Sequence, residues 1–145
     1  MHDIGKIAIS DMILQKPGTL SPEEYKMMQR HTSEGGRLIR ENMGRIVNQE
    51  FVEVASDIAS YHHEKWNGQG YPEQRKGKEI PLCARILAIA DVFDALVSKR
   101  QYKEGMSLEE AFEIMEKERG TSFEPELLDV FLESKDELKN LMQEL

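Results

Sequence analysis

Residues 81–97 read Pro81-Leu-Cys-Ala-Arg-Ile-Leu-Ala-Ile-Ala-Asp-Val-Phe-Asp-Ala-Leu-Val97, an unusually apolar stretch that opens with a proline. Proline suits the first turn of a helix, so the stretch predicts a helix from Leu82 to about Val97, and its composition predicts burial on most sides. Apolar residues recur with helical spacing along most of the chain, and no alternating run is long enough to indicate a sheet. The sequence therefore predicts an all-α domain.

Capping signals place the other helices. Ser21 with Glu24 forms a capping box, and Ser107 with Glu110 forms another. Asn48 is a third capping candidate. The helices are predicted at about residues 22–31, 32 or 33 to 42, 48 to 62 and 107 to 120, and a last helical region is predicted from Pro125 onward. Residues 64–79 carry three glycines and Pro72 among charged side chains, which predicts the longest loop of the chain.

Composition limits the possible functions. The 145 residues suffice for one domain, and the formal net charge of −8 argues against binding a nucleic-acid polymer or an anionic membrane. The single cysteine, Cys83, cannot form an internal disulfide, and no apolar run approaches the roughly 20 residues of a membrane span. A cytoplasmic protein is expected.

Two of the four histidines are neighbours, His62 and His63, at a predicted helix end. Side chains on consecutive helical residues diverge by about 100°, so neither this pair nor His2-Asp3 can grip one ion from one side. Such pairs suit two metals that share a bridging carboxylate, with each histidine serving a different ion. Gly5 is expected to end the helical turn that holds His2 and Asp3.

Asp91 lies in the middle of the apolar stretch, where a buried carboxylate is costly unless it is paired or binds a metal. Asp94 lies on the same face one turn later. Imidazole and carboxylate ligands without thiolates favour iron, manganese, zinc or nickel. Each feature alone has an ordinary alternative: His31 could complement a helix end, Lys6 could be a solvated charge like Arg100 and Lys103, and Gly70-Tyr71-Pro72 could be a simple turn.

Taken in order, the motifs resemble those of the HD-GYP family, the branch of the HD metal-dependent phosphohydrolases whose members hydrolyse cyclic di-GMP in bacteria. The matching segments are His2-Asp-Ile-Gly-Lys6, His31, His62-His-Glu-Lys-Trp-Asn-Gly-Gln-Gly-Tyr-Pro72, Ala90-Asp-Val-Phe-Asp-Ala-Leu96, Arg100 with Tyr102 and Lys103, and Gly120-Thr-Ser-Phe-Glu-Pro125. The resemblance covers nearly the whole chain.

The resemblance implies an HD-domain-like bundle of about six to seven helices that holds two, or three, divalent ions, with iron or manganese expected. The implied metal ligands are His2, Asp3, His31, His62, His63 and Asp91. Asp3 would bridge the ions and Lys6 would contact the scissile phosphate. The implied substrate-contacting positions are Gly70, Tyr71, Pro72, Asp94, Arg100 and Lys103. The Gly70-Tyr71-Pro72 loop would also contact partner proteins such as diguanylate cyclases.

The expected reaction is hydrolysis of cyclic di-GMP to linear di-guanylate, and further to GMP if the second ester is cut. Two cations would polarise the phosphodiester and activate a water for in-line attack on phosphorus. Two alternatives are a catalytically impaired module that binds nucleotides or signalling proteins, and another HD phosphohydrolase that acts on nucleotides.

Family members carry helices ahead of the HDxGK motif, one of which supplies another histidine ligand, whereas Met1 immediately precedes His2 here. The expectation is therefore a single domain over residues 1–145 that is truncated at its N-terminus. The apolar surface that those helices cover would be exposed unless another chain covers it, which favours a homodimer.

Overall fold

The computed structural model describes residues 1–44, 48–98 and 106–143, without the side chains of 141–143. Within these ranges it contains seven α-helices and no β-strand, so the predicted all-α fold is confirmed. The helices are α1 Asp11–Leu14, α2 Pro22–Met43, α3 Gln49–Tyr61, α4 Leu82–Val97, α5 Leu108–Lys117, α6 Pro125–Glu133 and α7 Lys135–Gln143. Two 3-10 helices span Ile4–Ala8 and Gly77–Glu79. None of the described helices combines the length and apolarity that crossing a bilayer requires.

The helix starts predicted from the capping residues Ser21, Asn48 and Ser107 are confirmed. Ser21 and Glu24 form both hydrogen bonds of a capping box at α2, as Ser107 and Glu110 do at α5. The Asn48 side chain accepts a hydrogen bond from a backbone N–H of α3. Each cap satisfies N–H groups that the first turn of a helix leaves unpaired, and each contributes about 1 kcal/mol.

Two local predictions are wrong. Helix α2 does not restart at Thr32 or Ser33, because both hydroxyls donate to the carbonyl three residues back and the helix continues. Gly5 does not end a turn but lies inside the first 3-10 helix. The last helical region begins at Pro125 as predicted and comprises two helices, α6 and α7, which are separated at Ser134.

The burial predicted for α4 is also wrong. Ala84, Ala88, Ile89 and Phe93 are buried, but Leu82 and Ile86 are each about half exposed, at 53% and 51%. The apolar composition of α4 therefore exceeds what the described residues of the domain cover.

Two apolar clusters hold the helices together. The larger one joins α4, α5 and α6 around Phe93, whose ring stacks on Phe112 with 5.4 Å between centroids. The smaller one joins α2 and α3 through Ile39, Val52 and Ala59. Burying a large apolar side chain contributes about 1.5–3 kcal/mol, so one cluster fixes α4 against α5 and α6 and the other fixes α2 against α3.

Glycines allow the first 3-10 helix and α3 to approach α2 closely. A Cβ on Gly5 would lie 1.9 Å from the His31 carbonyl oxygen, and a Cβ on Gly36 would lie 1.9 Å from Ser60 Oγ. Real side chains do not fit at such distances. The residues before Gly5 are thereby held against the middle of α2.

The loop between α3 and α4 is anchored to the opposite half of the domain. The backbone N–H groups of Trp66 and Asn67 donate to the carbonyls of Ser122 and Thr121, at 3.1 and 2.9 Å. Arg85 of α4 and Glu124 form a buried ion pair beside this contact. The loop that follows the paired histidines therefore has a fixed course.

Candidate metal centre

Four separate segments deliver their polar side chains to one place. His2 and Asp3 precede the first 3-10 helix, His31 lies in the middle of α2, and His62 and His63 follow the last turn of α3. Asp91 comes from α4 and lies 3.5 Å from His2 Nε2. The six side chains that the sequence singled out as metal ligands thus converge, and the alternative reading of His31 as a helix-end residue is wrong.

Asp3 lies at the centre of this group. Its carboxylate is 3.5 Å from His31 Nε2, 3.8 Å from His62 Nε2 and 3.6 Å from His2 Nε2, while Lys6 Nζ donates to it at 2.5 Å. Burial by itself would raise the pKa of Asp3, but the hydrogen bond and charge of Lys6 outweigh it, and the pKa is lowered. Asp3 is therefore an anion near neutral pH, which is the form in which a carboxylate binds a metal ion.

Backbone carbonyls orient two of the histidines. His31 Nδ1 lies 2.7 Å from the Met28 carbonyl oxygen, and His62 Nδ1 lies 3.0 Å from that of Ile58 and 3.1 Å from that of Ala59. A carbonyl can only accept, so each Nδ1 carries the proton and each Nε2 presents a lone pair.

Both of these Nε2 atoms are buried and have no hydrogen-bond partner among the described residues. A buried polar atom without a partner is costly, and two such atoms beside one carboxylate are the arrangement expected of metal ligands. His31, His62 and His63 offer ligand atoms that all lie within 4.8 Å of one another. The donor set therefore fits a divalent cation.

Burial keeps the paired histidines neutral. It lowers the pKa of His62 and, together with the repulsion that a protonated His62 would exert, lowers the pKa of His63 to about 3. A neutral imidazole is the form that binds metal. The rings of His62 and His63 are 4.2 Å apart between centroids, close enough to share one ion, so the assignment of each to a different ion stays a prediction.

Two clefts flank His63. One, of about 370 Å³, is lined by Asp3, Lys6, Asp91 and apolar residues of α4. The other, of about 590 Å³, lies on the side of Tyr25 and includes Gly70, Tyr71 and Pro72 among its lining residues. The predicted substrate-contacting loop is thus beside the cluster.

The remaining predicted residues are less central. Asp94 is exposed, lines neither cleft, and accepts a hydrogen bond from the Ser98 hydroxyl at 3.0 Å. Arg100 and Lys103 lie outside the described residues.

A model of a known family, described as HD domain, matches residues 1–127. The chain belongs to the HD domain family. This HD domain is 43% identical over 141 residues to a "Cyclic di-GMP phosphodiesterase" of Thermotoga maritima, in a match that covers 97% of this chain and 37% of that relative. It is 44% identical over 137 residues to a "3'3'-cGAMP-specific phosphodiesterase 2" of Vibrio cholerae, covering 94% of this chain and 25% of that protein.

A crystal structure of a cyclic GMP-AMP specific phosphodiesterase of Vibrio cholerae resembles this HD domain with a TM-score of 0.55 and 25% sequence identity. The match covers 94% of this chain and 33% of that one. The chain therefore spans about a quarter to just over a third of the length of these relatives.

Two residues of the motifs, Tyr71 and Gly5, make contacts in the HD domain that the sequence did not predict. The ring of Tyr71 stacks on His63, with 4.9 Å between centroids, so Tyr71 packs on a candidate ligand as well as bordering a cleft. Gly5 sets the approach of Asp3 to His31. The position of Gly5 inside the His2–Lys6 motif is the signal that could have indicated a close backbone contact.

Proposed function

We propose that this HD domain is the catalytic unit of a metal-dependent phosphodiesterase that hydrolyses a cyclic dinucleotide, with cyclic di-GMP as the first candidate. The products would be linear di-guanylate and, after a second cleavage, GMP. The observation that carries the proposal is the pair of buried, unpartnered Nε2 atoms of His31 and His62 beside the Asp3 carboxylate. The names of the relatives support a phosphodiester of this class as substrate.

The proposed metal ligands are those that converge in the centre: His2, Asp3, His31, His62, His63 and Asp91. Two divalent ions, or three, would occupy it, with Asp3 between them. The donors are imidazoles and carboxylates, which suit iron or manganese. The one cysteine, Cys83, takes no part, since its Sγ lies beside the Val54 carbonyl.

The bound ions would supply Lewis acidity to the phosphodiester and to the attacking water. Lys6 is placed to add positive charge: its Nζ lines the cleft at the edge of the centre, where it can turn from Asp3 toward a phosphate oxygen. The transition state gathers negative charge on those oxygens, so Lys6 would contribute more there than in the ground state. A protein of net charge −8 needs such local cations to hold an anionic dinucleotide.

The Gly70-Tyr71-Pro72 loop would border the bound nucleotide, and Asp94, Arg100 and Lys103 are proposed as further substrate contacts. Two predictions about partners are not tested by the structure. One is that this loop contacts a diguanylate cyclase, and the other is that the protein forms a homodimer. Pull-down with and without Pro72→Ala checks the first, and sedimentation velocity checks the second.

Hydrolysis of cyclic di-GMP and of 3'3'-cGAMP by the Mn²⁺- or Fe²⁺-loaded protein, followed by chromatography of the products, tests the proposal. We expect turnover of at least one of them, and a loss of about 100-fold or more in His63→Ala. Glu79→Gln is the control, because Glu79 is exposed and its carboxylate accepts the backbone N–H of Lys76, which is not one of the candidate ligands. Tight nucleotide binding without turnover would instead favour the non-catalytic binding module. Equal rates for His63→Ala and the wild type would refute the ligand set.

A further inference from the structure

Glu64 is a buried carboxylate that directly follows the two histidines. Glu64 is only 3% exposed, and among the described residues no cationic side chain lies within ion-pair distance of its carboxylate. Oε1 accepts the backbone N–H of Glu73 at 2.8 Å, and Oε2 accepts that of Arg75 at 3.1 Å. A buried carboxylate is costly without such partners, so Glu64 and this backbone segment hold each other in place.

The segment that Glu64 holds lies in the middle of the loop, just after the residues that turn back to His63. The Tyr71 N–H donates to the His63 carbonyl oxygen at 3.2 Å. Gly70 lies so close that a Cβ on it would be 2.5 Å from that oxygen and from Glu64 Cα. The Tyr71 ring then stacks on the His63 ring at 4.9 Å, with 27° between the planes.

His63 is the ring that most needs such support. His31 and His62 are each oriented by backbone carbonyls of their own helices. His63 has no such contact in the described part of the chain, and its face packs against Tyr71 instead. The orientation of His63 therefore depends on the loop, and the loop depends on Glu64.

We propose that Glu64 is a positioning residue: it clamps residues 70–75 so that the Tyr71 ring fixes the imidazole of His63 in the orientation that the metal centre requires. This inference rests on the proposed function, because the centre through which it acts is the proposed one. The Glu64 carboxylate accepts hydrogen bonds from backbone N–H groups and, among the described residues, none from a candidate ligand. Its removal should loosen one ligand while leaving the other ligands in place.

Glu64→Gln tests this, since it keeps the shape but turns an N–H₂ donor toward backbone N–H groups. Glu79→Gln is the matched control: Glu79 lies at the end of the same loop and also accepts a backbone N–H, that of Lys76 at 3.0 Å, but is exposed. The first readout is NMR of the histidine ring protons in metal-free protein. The stacked Tyr71 ring shifts the His63 signals in the wild type, and we expect that shift to be lost in Glu64→Gln and kept in Glu79→Gln.

The second readout is a titration with Co²⁺ in which binding is monitored by the visible absorption of the bound ion. We expect about 10- to 100-fold weaker binding and an altered spectrum in Glu64→Gln, as for other residues that orient metal ligands. An unchanged His63 signal, or unchanged Co²⁺ affinity and spectrum, overturns the proposal. A wild type that binds no Co²⁺ overturns the proposed metal centre, and the NMR signals then still decide whether Glu64 orders the loop.

If Glu64→Gln fails to fold, Tyr71→Ala decides, because it removes the stacked ring and keeps the Glu64 anchor. The proposal requires Tyr71→Ala to weaken Co²⁺ binding to a similar extent. Wild-type affinity in folded Tyr71→Ala overturns it.

Discussion

Replacing Gly5 with alanine tests whether backbone contact sets the geometry of the metal centre. The added Cβ would lie 1.9 Å from the His31 carbonyl oxygen and 2.5 Å from the Gly35 backbone nitrogen. Ordinary contact begins at about 3.4 Å, so the first 3-10 helix must recede from α2 by about 1.5 Å. Asp3 lies two residues away and would move with it, lengthening its 3.5 Å approach to His31 Nε2.

The size of the effect follows from that displacement. Overpacking of this kind costs about 1–3 kcal/mol of unfolding free energy, which lowers Tm by about 2–12 °C for a domain of this size. A misplacement of about 1 Å among reacting groups costs about 100-fold in rate. We therefore expect Gly5→Ala to stay folded, to bind Co²⁺ at least about tenfold more weakly, and to lose about 100-fold in hydrolysis.

Thermal unfolding, Co²⁺ titration and the hydrolysis assay on the same preparations check this. Gly18→Ala is the control: Gly18 has a φ of +87° and nothing within 4 Å of an added Cβ, so alanine there strains the backbone away from the centre. It should lose stability but keep wild-type Co²⁺ affinity. Wild-type Co²⁺ affinity and rate in Gly5→Ala would refute the idea that this contact positions Asp3.

Three further predictions concern stability. Gly36→Ala brings a Cβ to 1.9 Å from Ser60 Oγ and should lower the free energy of unfolding, measured in urea, by about 1–3 kcal/mol. Adding Ser60→Ala removes that oxygen and should restore part of the loss. Arg85→Met leaves Glu124 buried without its cation and should lower the free energy of unfolding in urea by about 3–5 kcal/mol. Replacing both residues with methionine should lower it by less. Burial, with the charge of His62, lowers the pKa of His63 from 6.5 to about 3, so between these pH values the unfolded chain binds a proton that the folded chain does not. Stability of the metal-free protein in chelator should therefore fall by up to about 1.4 kcal/mol per pH unit below pH 6.5, and less steeply in His63→Asn; equal slopes would contradict the assignment.

Local signals predicted local structure well. The capping box at Ser21 and the cap at Asn48 start helices where the sequence placed them, because a cap depends only on residues within one turn. The order of the histidine and aspartate motifs likewise predicted which side chains converge. That prediction came from resemblance to a family, since nothing in the spacing of His31 and Asp91 alone brings them together.

Other features depend on packing that the sequence does not display. Thr32 looked like a new cap, but in the folded chain its hydroxyl bonds to Gln29 O and leaves α2 unbroken. The apolar side of α4 looked buried because composition does not reveal how many elements pack against a helix. The stacking of Tyr71 on His63 joins the middle of a loop to its beginning, and the path of that loop is fixed only by the folded structure.

The carbonyl groups that hold His31 Nδ1 and His62 Nδ1 are part of the peptide backbone of α2 and α3. The side chains at 28, 58 and 59 can change over evolutionary time without altering which ring nitrogen carries hydrogen, provided that the helices persist. The secondary structure thus determines which nitrogen of these two rings is protonated, and single substitutions at these positions that preserve the helices do not change it.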